Sequence, residues 1–76
     1  MNAAEVGSHI RARRLTLGLD QQSLAEIAGV SIHALSDIES GKGNPTLKVL
    51  NRLAAAIGMD VVLRVRPSLL VEGAPP

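Results

Sequence analysis

The chain has 76 residues, with no Cys and no Phe, Trp or Tyr, and its 8 Lys+Arg against 7 Asp+Glu leave a net charge of +1. That excludes a disulfide framework, a thiolate metal site and more than one small domain, and a charge so near balance is no argument for nucleic acid by itself. No apolar run approaches the ~20 residues of a membrane span, and Met1 to Ile10 lack the pattern of a secretory signal, so a cytoplasmic protein is expected.

The first predicted helix runs from Ala4 to Leu17. Val6, Ile10, Arg14 and Leu17 recur at helical spacing and turn one face inward, while Arg11 and Arg13 point elsewhere. Gly18 ends it. Asp20 is a good N-cap for a second helix over Gln21–Ala28, with Leu24, Ile27 and Ala28 as its buried side. Gly29 and Val30 make a short turn. Ser31 caps a third helix, from Ile32 to Ser40, whose Leu35 and Ile38 face the core. Gly41, Gly43, Asn44 and Pro45 form a loop. Thr46 caps a fourth helix with Leu47, Leu50, Leu53, Ala54 and Ile57 on one face, and Gly58 stops it. Val61, Leu63 and Val65 then alternate with Val62 and Arg64, the period-two signal of a strand that Pro67 ends. Residues 1–67 are thus expected to form one domain, with 68–76 as a flexible tail carrying a small apolar patch at Leu69-Leu70-Val71. Basic residues cluster only in part, at Arg11, Arg13 and Arg14 and again at Lys42, Lys48 and Arg52.

Two short helices joined by a glycine-containing turn could be no more than a helical hairpin. The stretch from Gln21 to Ser40 meets a fuller set of constraints. Ala25 is small where the second and third helices must approach. Gly29 stands where the turn needs a left-handed backbone without a Cβ penalty. Leu24, Ala28, Val30, Leu35 and Ile38 are apolar where the hairpin must pack on the first and fourth helices. Polar residues fall on the outer face of the third helix, which makes it a rod able to enter a major groove about 12 Å wide.

On these residues the stretch from Ile10-Arg11 to Ile57-Gly58 resembles the Xre/Cro family of repressors, of the lambdoid phage repressor type. The resemblance is carried by Arg14, Leu19-Asp20-Gln21, Leu24-Ala25-Glu26, Ala28-Gly29-Val30-Ser31, Ile38-Glu39-Ser40-Gly41-Lys42 and Pro45-Thr46-Leu47. It implies an all-α, lambda-repressor-like helix-turn-helix domain of four to five helices, and a transcriptional repressor that binds double-stranded operator DNA without a cofactor. It also implies roles. Gln21, with Gln22 beside it, would lie against a phosphate at the N-terminus of the second helix. Ser40, Lys42 and Asn44 would touch phosphates after the third helix. Arg14 and Glu39 match positions that form a partly buried, structural ion pair.

Base readout would fall to Ile32, His33, Ser36 and Asp37, with Ser31 at the edge. Ile32 suits a thymine methyl, His33 and Ser36 suit base edges or phosphates, and Asp37 suits a cytosine amino group. Here the chain departs from the family's habit. Gln, Arg, Lys and Asn are the usual readers, and the third helix has none of them. Asp37 is unfavourable near phosphates unless paired, so a solvated or Arg-paired carboxylate stands as an equal reading. Specificity would then rest more on backbone contacts and DNA shape.

A single strand needs a partner for its backbone groups, and the chain offers no second one. Pairing of Val61, Val62, Leu63, Arg64 and Val65 with the same residues of another copy would give a homodimer. A chain this short buries only about 60% of its unfolded surface, so a dimer also supplies needed burial. The alternative is a flexible extended tail. The ending from Ile57 to Pro67 is similar to HipB-like antitoxins within the same family. That similarity implies the antitoxin of a type II toxin–antitoxin pair, which represses its own operon and neutralises a HipA-like kinase toxin. A stand-alone regulator, or an interaction module without DNA binding, are the alternatives.

Enzyme chemistry has little footing. His9 and His33 lack a third metal ligand. Ser8, Ser23 and Ser36 have no His/Asp setting, and Asp37 and Glu39 share no helix face suited to acid–base work. Neither a metal nor a catalytic role is expected.

Overall fold

Four helices, each opened by a side-chain cap, carry the structure. The computed structural model describes residues 1–65. Helix α1 spans Ala3–Thr16, α2 Gln21–Ala28, α3 Ile32–Glu39 and α4 Leu47–Ala56. Each helix start leaves backbone N–H groups without an intrahelical acceptor. Asp20 accepts from the Ser23 N–H at 2.7 Å, Ser31 from Ala34 at 3.0 Å and Thr46 from Val49 at 3.1 Å. Asn2 does the same for Glu5 at 2.9 Å, which starts α1 one residue earlier than expected. Each such cap contributes about 1 kcal/mol.

The helices close around one apolar cluster of Ile10, Leu24, Ala25, Leu35, Ile38, Leu53 and Ile57. Helix α3 packs against α1 and α2, and α2 packs against α4. Burying each large aliphatic side chain contributes about 1.5–3 kcal/mol. Gly29 has φ +71°, the left-handed conformation its turn requires, and Val30 N–H closes back on the Ala25 carbonyl at 3.0 Å. Gly7 answers a different need. It is buried, and a Cβ placed there would run into the backbone carbonyl oxygen of Ile38. Glycine inside a helix costs about 1 kcal/mol in propensity, yet only glycine allows α1 and α3 to touch backbone to backbone here.

Three expected core positions are solvent-facing. Leu17, Ile27 and Leu47 are exposed. Ile27 lies about 100° round α2 from the middle of the face made by Leu24, Ala25 and Ala28, at about 100° per residue. Leu17 is the C-cap of α1 and Leu47 the first residue of α4, so each sits at the end of its stripe. Ala25, expected only as a small spacer, is part of the buried face.

The expected strand is not formed. Among the described residues no strand occurs, and Val61, Val62, Leu63, Arg64 and Val65 are exposed without regular structure. The reason is physical: a lone segment has no backbone ladder within its own chain. This segment borders an apolar groove of about 300 Å³, lined by Val6, Ile10, Leu50, Ala54, Met59 and Val62 among others. Arg66 and Pro67, and the expected tail over 68–76, lie outside the described residues. No helix among the described residues is long and apolar enough to cross a membrane.

Candidate nucleic-acid interface

The α2–turn–α3 unit is anchored from behind by a salt bridge that spans the fold. Arg14 of α1 grips Glu39 with two parallel bonds: Nε donates to Oε2 at 2.7 Å and Nη2 donates to Oε1 at 2.8 Å. Its third arm, Nη1, donates to the Leu19 carbonyl at 2.8 Å, just before α2 begins. The two side chains are only 8% and 3% exposed. Burial pushes the Glu39 carboxyl up, but hydrogen bonds from Arg14 and Gln21, with the charges of Arg14 and Arg11, outweigh it and hold the group below its ordinary value. The Glu39 hydrogen bond is also the main cause that raises Arg14 above its ordinary value. The expected structural ion pair is therefore present, and it ties α1, the entry to α2 and the end of α3 into one frame.

In front of that frame lies the outer face of α3. Ile32, His33 and Ser36 are exposed and Asp37 is half-buried, while Leu35 and Ile38 point inward. At about 100° per residue the four outward positions fall within an arc of about 140°. Ser31 is exposed, but its hydroxyl is already engaged as the cap of α3. His33 and Asp37 stand one turn apart with Nε2 and Oδ2 separated by 3.5 Å. Asp37 pairs with no Arg and its side chain remains partly solvated, with a histidine beside it on the same face.

The expected phosphate-contact residues divide into two groups. Lys42 and Asn44 are exposed in the loop after α3, and line with Asp37 a shallow cavity of about 180 Å³. Gln21, Gln22 and Ser40 are engaged within the chain. Gln21 Nε2 donates to Glu39 Oε1 at 3.3 Å, Gln22 Nε2 donates to Glu26 Oε1 at 3.4 Å, and the Ser40 hydroxyl donates to the Asp37 carbonyl at 3.0 Å. Each retains lone pairs, and both amides keep a second N–H, so the bonds orient these side chains without using them up.

Two arginines that read from sequence only as parts of basic clusters are tied into the fold. Arg13 Nε donates to the Ile57 carbonyl at 2.9 Å and so clips α1 to the end of α4. Arg52 Nη1 donates at 3.4 Å to the carbonyl of Gly29, behind the turn that aims α3. No spacing rule links residues so far apart. Gly7 did carry a signal, because an isolated glycine inside a helical pattern usually marks close packing.

The helix-turn-helix family pattern matches residues 10–63. A 10 kDa protein of the ImmF control region of Bacillus phage phi105 is 34% identical over 73 residues, which cover 95% of this chain and 81% of that protein. The immunity repressor protein of the same phage is 39% identical over 67 residues, covering 88% of this chain but only 46% of the repressor. An uncharacterized HTH-type transcriptional regulator of Sinorhizobium fredii is 38% identical over 63 residues, covering 83% of this chain and 82% of the regulator. Among solved structures, the restriction-modification controller protein C.AhdI from Aeromonas hydrophila superposes with a TM-score of 0.73 at 28% identity, over 76% of this chain and 88% of that one. By residues matched and by fold, this chain belongs to the helix-turn-helix family.

Proposed function

We propose that this protein is a DNA-binding transcriptional repressor that acts as a homodimer on a palindromic operator. The observation that carries the reading is the outward face of α3, polar and unobstructed, held by a buried ion pair at its far end. A helix so presented fits the major groove, with Lys42 and Asn44 beside it at the phosphates. The names of the phage immunity repressor and the HTH-type regulators support the same reading. Repression is by occupancy and needs no cofactor.

Half-sites of a dimer lie about 34 Å apart on the operator, one turn of the duplex. The exposed apolar segment Val61–Val65 beside an apolar groove supports a second copy as its cover, with the segments paired as antiparallel strands. The likeness of this ending to HipB-like antitoxins supports a finer role, autoregulation of an operon that also encodes a HipA-like kinase toxin. Co-expression with the neighbouring reading frames decides that role: a kinase-like product that co-purifies supports it, and a chain that represses its own promoter with no such neighbour is a stand-alone regulator.

DNA binding is tested by anisotropy with operator DNA selected from a random pool, at two salt concentrations. Affinity should fall steeply with salt, as counterions are released by phosphate contacts. Lys42→Ala should weaken binding to all sequences alike and reduce the salt slope by about 1. Absence of any salt-sensitive binding would leave an interaction module in place of a repressor.

A further inference from the structure

We propose that His33 and Asp37 read the operator as one unit, in which His33 positions the Asp37 carboxylate against a base amino group. The inference rests on the DNA-binding reading above. It starts from the pairing of the two side chains on the outward face of α3, Nε2 to Oδ2 at 3.5 Å, with the His33 side chain 88% exposed and that of Asp37 43%.

The geometry divides the work between the oxygens. The His33 ring stands beside Oδ2 and limits where the carboxylate can swing, while the other oxygen keeps its lone pairs for an incoming donor. In the major groove the exocyclic amino groups of cytosine and adenine are such donors, and a carboxylate is suited to cytosine. An unpaired carboxylate between two rows of phosphates would be repelled. No Lys or Arg lies within α3 to offset it, so the offset must come from His33 or from outside the helix.

The charged groups around α3 leave His33 as the nearest polar neighbour of the Asp37 carboxylate. On the side where α1 packs, Arg14 is committed to Glu39, and Arg11 also acts on Glu39. In α2, the Glu26 carboxylate accepts from Gln22. Lys42, in the loop beyond α3, shares a cavity lining with Asp37 but forms no ion pair with it.

Base-pair preference tests this with the full chain and its selected operator, measured for wild type, His33→Ala, Asp37→Asn, the double variant and His33→Gln. Both single variants should lose discrimination at the same base pair, by about tenfold, and the double variant should lose no more. His33→Gln keeps an N–H donor beside Asp37 and so should retain much of the preference. Additive losses at two different base pairs, or a His33→Gln protein that discriminates no better than His33→Ala, would overturn the coupled reading alone. A wild-type protein that binds no DNA would overturn the DNA-binding reading and this inference with it.

Discussion

Arg14 and Glu39 stand 25 residues apart in sequence, yet each satisfies the other with two bonds in a nearly dry site. Coulomb attraction there offsets the cost of burial only because both oxygens and all three guanidinium nitrogens find partners. Removing one member strands the other charge. Arg14→Met alone should cost about 3–5 kcal/mol in urea unfolding, and Arg14→Met with Glu39→Leu should cost clearly less than the two single losses added. Simple additivity would mean the pair is not coupled. Glu39 also gives a pH signature. Its folded-state value is depressed, so its stabilisation is complete above the unfolded-state value and is lost as pH falls through the folded one. Wild-type Tm should therefore fall on acidification in that window, and Glu39→Gln should show a lower Tm at neutral pH with a flatter acid limb.

At the scale of elements, the caps and stripes placed four helices from sequence, because capping and the helical period are local properties. Asp20, Ser31 and Thr46 act where expected, and Leu24, Leu35, Ile38 and Leu53 are buried where expected. The stripe failed at Ile27 and at the helix ends Leu17 and Leu47. Periodicity gives the direction of a side chain round its helix, but it does not say whether a neighbour covers that direction. Gly7 shows the converse, since the contact of α1 with α3 runs through the backbone. Gly7→Ala gains helix propensity of about 1 kcal/mol and still should lose stability by about 1–3 kcal/mol, because the helices must separate. A stabilised Gly7→Ala protein in thermal unfolding would show that this contact can relax freely.

Across the whole molecule, the segment after α4 is the point where a single chain falls short. Val61, Val62, Leu63 and Val65 are exposed beside an apolar groove, an arrangement that favours association. Val62→Asp combined with Leu63→Asp should convert a dimer into monomers in sedimentation velocity, with the helical circular dichroism kept. A dimer that persists would move the interface to another face.

The alternation from Val61 to Val65 predicted a strand that the single chain does not form, whereas the outward positions of α3 were legible because they follow from spacing along the helix. Sequence by itself determined where α2, α3 and α4 start, which turn needs glycine and which residues α3 turns outward. Tertiary structure alone decided that Gln21 supports Glu39, that Arg13 reaches the Ile57 carbonyl, and that the Ile38 backbone is what Gly7 must stay bare for. Those contacts depend on which rotamers and which neighbouring elements meet in space, and no pattern along one dimension encodes a meeting between two surfaces.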